Sequence, residues 1–506
     1  MEKGNINLIS FYKKAGENVL KKKVFISKVL GMSSVMLILN ISAFVYNVYV
    51  SSQTGADGIG LFHLVMSVFS FCSCVAVSGI GLTSTRLISD MPPGLWSKCA
   101  DSVVVKCIRL CLVPSGVVCA ILLLFAEFVS GKILGVPQTS VCFRVLAPCL
   151  VCMSVSSVIN GYFTAYGAVG CLAFGKFMSE LSVWSVTLLL LKVISPDKTY
   201  MVVVYAFCAG NICEFICNIC LWRRLRTGLY CKNGTDYKSI LSLCVPIALG
   251  SYLRTGLGSL ENILVPNMLK IHGSADPVGV YGLLKGMTLP VLMFPTVFTY
   301  AFTNFIVPEI AKRRALGYKN GIVYVSSLSL EYILRFAVFV SAVFWKWHSE
   351  IGLAIYGRAE VSRFLGMLCL FPLFWFLDSV TDAVLKGLNQ QVASLKINIC
   401  DALSRVLGVA LFIPVFGIEA YIVIICASEI INFLFSFLKL RKVCKLRFPL
   451  KKGLITSLFA VLICELTYGF YEGCNLWASV FLYSAFYLLS QSIVSSLINK
   501  ISPDKN

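Results

Sequence analysis

Long apolar runs separated by short polar segments set the pattern of this chain. Runs of roughly 20 residues, the length that crosses a bilayer core, recur at 29–50, 59–82, 102–128, 140–163, 167–191, 199–222, 239–265, 281–307, 322–347, 361–385, 391–414, 417–439, 453–472 and 475–498. They predict an all-α polytopic membrane protein of about fourteen transmembrane helices. The pattern also repeats. Ala56-Asp57-Gly58-Ile59-Gly60-Leu61-Phe62 reappears as Ala275-Asp276-Pro277-Val278-Gly279-Val280-Tyr281, and in both places a loop leads into a long apolar helix. At the far end of that helix, Leu87-Ile88-Ser89-Asp90 aligns with Ile306-Val307-Pro308-Glu309. A weaker echo pairs Pro148 with Pro372 and Glu180 with Asp401. Such a repeat inside a membrane marks a transporter built from two lobes around a central site.

The repeat sets the expected organisation. Residues 1–28 form a basic N-terminal segment, 29–222 a first lobe of six spans and 223–238 an inter-lobe linker. Residues 239–440 form a second lobe of six spans, 441–452 a basic loop, 453–498 two added spans and 499–506 a tail. Each lobe has an even number of spans, so the copies point the same way. A pseudo-two-fold axis along the membrane normal should relate them.

Composition narrows the class. Of 506 residues, 58% are hydrophobic and only 13% charged, against about 25% charged in an ordinary soluble domain. Mean hydropathy is +0.83, which leaves no room for a large soluble domain. The net charge of +20 would fit a nucleic-acid partner, but its placement argues against one. The basic residues sit in alternate loops: Lys13, Lys14 and Lys21 to Lys23, then Arg223, Arg224 and Arg226, then Lys312 to Arg314, then Lys439 to Lys452. That is the positive-inside distribution, and it predicts both termini in the cytoplasm. Residues 11–28 read either as a basic helix on the anionic inner leaflet or as a solvated tail. The apolar run from Val29 is too long for a signal-peptide core and is read as the first span. The 22 cysteines lie mostly in predicted spans, where Cys acts as a small apolar residue. Cys149-x-x-Cys152 and Cys217-x-x-Cys220 fall mid-helix without a His partner, so no metal site is expected.

No enzyme motif is present. His63, His272 and His348 form no His-Glu cluster, and there is no phosphate-binding Gly-rich loop or Gly-x-Ser-x-Gly turn. A transporter with no cofactor is expected, with uphill transport drawing on an ion gradient or the membrane potential. The chemistry should then lie in charges inside spans, each of which costs roughly 2.5–3.5 kcal/mol at the bilayer centre unless it faces protein or water. Span 7 carries Arg254 and Glu261 seven residues apart on one face, with Gly258, a gate or hinge candidate, and Asn262, a further binding candidate, on or beside it. The alternative for this pair is a structural contact with another helix. Span 8 carries Lys285 near its outer end, where it is read as a second binding residue or as a snorkelling lysine. Pro290 and Pro295 follow and should bend that helix into a gate or hinge, or into a plain packing kink. Span 1 carries a polar stripe of Asn40 and Asn47, candidate substrate-binding residues, extended by Ser33 and Ser51. Span 10 places Asp378, Asp382 and Lys386 on one face, and span 11 places Asp401 and Arg405 four residues apart, read as an internal ion pair. Glu180, Glu214 and Glu429 are single carboxylates within spans. All three are candidates for cation coupling, as are Asp378, Asp382 and Asp401.

Several of these segments resemble one family. Tyr46-Asn47-Val48-Tyr49-Val50 through Gly55-Ala56-Asp57-Gly58-Ile59-Gly60-Leu61-Phe62, and Ser78-Gly79-Ile80-Gly81-Leu82 before Arg86, look like the first hairpin of the stage V sporulation protein B family. Gly161-Tyr162-Phe163, Glu261-Asn262-Ile263-Leu264-Val265-Pro266 and Gly286-Met287-Thr288-Leu289-Pro290 with Phe294-Pro295-Thr296 continue the match. These are polysaccharide transporters of the MOP (multidrug/oligosaccharidyl-lipid/polysaccharide) exporter superfamily. The resemblance implies a MATE-like or lipid-flippase-like fold in a bacterial cytoplasmic membrane. It also implies a polyprenyl-diphosphate-linked saccharide as cargo, membrane lipids as surroundings and alternating access as mechanism. Cavity cations hold the diphosphate in that picture, which points to Arg254 first and Lys285 second. Glu261 stands where the family commonly has Asp. Span 1 lacks the arginines of lipid II flippases.

Three readings are carried forward. The first is a flippase for a lipid-linked oligosaccharide or peptidoglycan precursor serving spore cortex or envelope synthesis. The second is a cation-coupled multidrug exporter, and the third a membrane scaffold recruiting envelope-synthesis enzymes.

Overall fold

A computed structural model describes residues 2–501 apart from 78, 92, 195–197, 227–235, 445–449 and 467–474, with side chains from residue 37 onward except 93–98, 450–452, 495 and 497–501. Parts of the predicted linker, basic loop and tail therefore lie outside the described residues.

In hydrocarbon every backbone polar group must bond internally, so apolar runs become helices. Helix α1 (Glu2–Val77) is broken at Gly55, where φ is 70°, a left-handed value that favours glycine. It thus holds both of the first two predicted spans, and α2 (Ile80–Ser89) completes the second. Then follow α3 (Pro93–Leu124), α4 (Ser140–Tyr166), α5 (Val169–Leu190) and α6 (Thr199–Leu225). The second half continues with α7 (Tyr237–His272), then α8, a pair (Pro277–Met293 and Thr296–Ala315) bent by 56°. Next come α9 (Lys319–Tyr356) and α10, a second pair (Ala359–Met367 and Phe371–Gly387) bent by 55°. The chain closes with α11 (Gln391–Phe416), α12 (Ile418–Cys444), α13 (Leu450–Leu466) and α14 (Leu476–Ile501).

This is a multi-pass membrane protein. Among the described residues nine helices are long and apolar enough to cross a bilayer, or up to eleven if each bent pair is one span. Fourteen is not reached on that measure, partly because one 53-residue stretch, Leu37–Ser89, contains two predicted spans. Helices α1–α6 pack on one another, α7–α12 on one another, and α13 and α14 against α9. Apolar side chains such as Phe143 and Leu150, with Val104 and Ile159 in a second group, fill the first lobe. Phe376 and Val384 centre the larger cluster of the second lobe, which reaches across to Ile59 and Leu64 of α1.

The lobes meet where the repeated segments cross. A Cβ on Gly60 would lie 2.3 Å from the Val278 carbonyl oxygen, and one on Gly282 would lie 2.0 Å from that of Ala56. Only glycine permits that approach. Beside the crossing, the repeated aspartates Asp57 and Asp276 come together over Gly279, where a Cβ would sit 2.3 Å from Asp57 Oδ1. Asp276 also caps the start of α8, accepting from the Gly279 amide at 2.8 Å. A hydrogen bond with Asp276, then burial, holds the Asp57 carboxyl above the ordinary carboxylate range, and Arg358 works the other way.

Candidate functional site

Beside this crossing, a cavity of about 940 Å³ opens among α1, α7, α8, α10, α11 and α12. Five of its six walls belong to the second lobe. The first lobe contributes only His63, Met66, Ser67 and Ser70 of α1.

Helix α7 presents the predicted stripe, because residues three, four and seven apart share a helix face. Arg254, Gly258 and Asn262 all line the cavity. Nothing lies within 4 Å of a Cβ built on Gly258, so this glycine leaves open space rather than a close packing contact. Arg254 is exposed to the cavity and makes no ion pair within 4 Å among the described residues. Its charge is felt by Asp378 and Asp401 from farther away. Glu261 shares that face but behaves differently. It is 3% exposed and turned into the protein, where it accepts from the Tyr421 hydroxyl at 2.8 Å and meets Arg405 at 3.4 Å. For Glu261 the structural contact is the one observed.

Arg405 is the hub of this arrangement. Its guanidinium lies 3.4 Å from Glu261, 3.5 Å from Asp401 and 3.9 Å from Glu429. One cation thus ties together α7, α11 and α12. The Asp401–Arg405 pair was legible at its four-residue spacing, whereas the two further carboxylates come from helices that no local spacing links. Asp401 also accepts from the Ser428 hydroxyl.

Lys285 is not at the outer surface. It lines the cavity, with its ammonium 5.6 Å from the centre of the Tyr421 ring. It lies within a π-helical turn, Leu283–Thr288, a local widening often found at functional sites. Pro290 follows directly and cannot donate a backbone bond, while Thr288 Oγ1 donates to the Leu283 carbonyl at 2.8 Å. The 56° bend falls at the second proline, since Pro295 is the N-cap of Thr296–Ala315.

On α10, Asp378, Asp382 and Lys386 all face the cavity. Asp382 pairs with Lys386 at 2.6 Å and accepts from Ser394. Asp378 takes a hydrogen bond from Asn432 Nδ2 at 3.2 Å. Sequence reasoning did not single out Asn398, Asn432, Tyr421 or Asn304; the first two were visible as amides within apolar spans.

Other predicted residues lie elsewhere. Asn40 and Asn47 do not line the cavity; on their side of the helix Ser51 donates to the Gly286 carbonyl of α8, while a different face of span 1 packs on α5. There Ser42 donates to Glu180 at 3.2 Å and Trp184 Nε1 donates to Ser42 at 3.1 Å. Asn47 Oδ1 is buried without a hydrogen-bond partner. Glu214 sits in a separate first-lobe network, accepting from Lys176 at 2.8 Å and from Asn160 at 3.1 Å.

Comparison with known proteins agrees with this architecture. The family model described as polysaccharide biosynthesis protein matches residues 25–281. Stage V sporulation protein B of Bacillus subtilis (strain 168) is 20% identical over 405 residues, covering 76% of this chain and 77% of that protein. Among solved structures, the lipid II flippase MurJ in an inward closed conformation superposes with a TM-score of 0.70 at 12% identity, over 93% of this chain and 99% of that one. An inward-facing multidrug resistance MATE family transporter of the MOP superfamily gives 0.63 at 15% identity, over 82% and 98%. At these identities the two structures establish a common fold.

Proposed function

We propose, from the premise that this chain belongs to the polysaccharide biosynthesis protein family, that it is a flippase. Its cargo is a lipid-linked oligosaccharide or peptidoglycan precursor, carried across the bacterial cytoplasmic membrane by alternating access. The observation that carries the reading is an arginine, Arg254, in a cavity between two lobes with no ion pair of its own. A guanidinium left free in a site of this size, within the ~300–1,000 Å³ of typical ligand pockets, is suited to a bidentate hold on a phosphate. Lys285, with only a ring beneath it, is a second cation for the same diphosphate. The lipid tail stays in a lateral opening between the lobes.

With both termini in the cytoplasm, the glycine crossing closes the outer face and the cavity reaches inward to Val307 and Lys386. The bend at Pro295 and the turn before Pro290 are the hinge about which α8 moves. Three carboxylates around Arg405 leave an excess of negative charge; a proton or monovalent cation balancing it couples transport to an ion gradient. Spore cortex synthesis is the setting that the resemblance to stage V sporulation protein B favours.

Reconstituted vesicles test the reading. Arg254→Ala should abolish transfer of an undecaprenyl-diphosphate saccharide between leaflets while leaving thermal stability unchanged, because Arg254 makes no ion pair to lose. Undiminished transfer in that variant removes the proposed role. The carboxylates lining the same cavity favour one alternative, a cation-coupled drug exporter, for which organic cations would be the cargo. Resistance to cationic drugs in an expressing strain, with no transfer of polyprenyl-diphosphate lipids, would establish that alternative.

A further inference from the structure

The cavity is not uniformly cationic, and its unpaired groups fall into two kinds. Lys386 is matched by Asp382, and Arg405 by its three carboxylates. That leaves Arg254 and Lys285 as cations without an ion pair, and Asp378 as a carboxylate without one. Asp378 Oδ2 has its amide donor from Asn432 and the Ser436 hydroxyl also faces this carboxyl, but Asp378 Oδ1 is buried with no hydrogen-bond partner among the described residues. On the neighbouring helix α12, Asn432 is 5% exposed and its Oδ1 is likewise buried without a donor, its amide nitrogen being spent on Asp378 and, at 3.4 Å, on Asn398. Both residues line the cavity. A buried acceptor left unmatched costs about 1–3 kcal/mol, so two side by side, one of them anionic, call for a donor that arrives from outside. An ammonium, with three N–H groups and a charge, supplies what both lack.

We propose that the cargo carries a free primary amine as well as its diphosphate, and that Asp378 and Asn432 hold this amine while Arg254 and Lys285 hold the phosphates. The inference rests on the flippase reading above and narrows its substrate class to zwitterionic lipid-linked precursors. The amine has two sources, the side chain of a diamino acid in a stem peptide or an amino sugar lacking its acetyl group. Neutral saccharides on the same lipid are the weaker ligands.

Native mass spectrometry of the full-length protein decides this. Wild type, Asp378→Asn, Asn432→Leu and Arg254→Ala are offered four undecaprenyl-diphosphate disaccharides in competition with phospholipid. One bears a lysine-containing pentapeptide, one the same peptide with its ε-amine acetylated, one no peptide and one a de-N-acetylated sugar. Wild type should prefer an amine-bearing lipid over its acetylated or peptide-free counterpart by about tenfold, the size of one charged hydrogen bond. Whether the peptide or the sugar amine is preferred identifies the source. Asp378→Asn and Asn432→Leu should lose that preference yet still select diphosphate lipids over phospholipids, and Arg254→Ala should lose both. Equal binding of amine-bearing and acetylated lipids by wild type overturns the inference, as does a preference that survives in whichever of the two variants folds. No selectivity for any of the four lipids overturns the flippase reading itself, and is read separately from loss of the amine preference.

Discussion

Replacing Arg405 by leucine is the sharpest test of how the second lobe is held together. The substitution leaves Glu261, Asp401 and Glu429 without the cation that now lies 3.4 to 3.9 Å from each. At an effective dielectric of about 20, each such contact carries a gross attraction of ~4–5 kcal/mol. Desolvation of the four charged groups offsets most of that total, and removal of one partner from a buried ion pair typically costs ~3–5 kcal/mol net. For a lobe of this size that corresponds to a fall in melting temperature on the order of 10 °C. The three carboxylates do not suffer equally. Glu261 keeps the Tyr421 hydroxyl and Asp401 keeps Ser428, so Glu429 is the most dependent on Arg405. Adding Glu429→Gln to Arg405→Leu should therefore recover a part of the loss, whereas Glu429→Gln alone should be nearly neutral. The assay is intrinsic tryptophan fluorescence on heating the purified protein in detergent at fixed pH and salt. If Arg405→Leu melts within about 2 °C of wild type, or if the double variant is less stable than the single, the guanidinium is not the tie that its position describes.

Two further expectations concern the crossing between lobes. Gly282→Ala would put a methyl 2.0 Å from the Ala56 carbonyl, against backbone that cannot step aside. Hydrogen-exchange mass spectrometry should show protection lost across 277–290, while Gly258→Ala, with open space at its Cβ, should leave exchange and melting unchanged. The Asp57–Asp276 contact should depend on pH. Because the partner carboxyl raises Asp57 above its ordinary range, the closed crossing holds a proton that the separated one releases, so closure is favoured on the acid side and weakens as pH rises through the raised value. Exchange of the same segment between about pH 5 and 8, corrected for intrinsic rates, should show this in wild type and not in Asp57→Asn; an identical profile in both would refute it.

Periodicity and the internal repeat carried the architecture because both are properties of local sequence. A run of apolar residues long enough to cross a bilayer has to be helical, and the copy of Ala56-Asp57-Gly58 at Ala275-Asp276-Pro277 required a matching element in the other lobe. What local sequence does not contain is the depth and partner of each polar side chain. Arg254 and Glu261 were expected to act together because seven residues return to the same helix face. Seven residues also advance roughly 10 Å along the axis, enough to place one in open cavity and the other against α11. The partner that claims Glu261 is Arg405, whose own four-residue neighbour Asp401 was the only contact that spacing could reveal.

Lys285 and Asn47 show the same limit from two directions. Lys285 was placed near the outer end of its span by its position in the apolar run, and position along a helix does not say whether a long side chain turns outward or into a cavity. Asn47 belongs to a polar stripe, but a stripe only says that something polar lies alongside. On that face Ser51 donates to the Gly286 carbonyl of α8, and neither asparagine lines the cavity. The site is therefore lopsided: the repeat makes the two lobes alike in backbone, while the unpaired charges have gathered almost entirely in the second. On the flippase reading such a cavity holds its cargo chiefly from the second lobe, with α8 as the moving element, and the first lobe meets it through α1. The closest backbone approaches of the repeated segments, Gly60 to Val278 and Gly282 to Ala56, lie next to that wall.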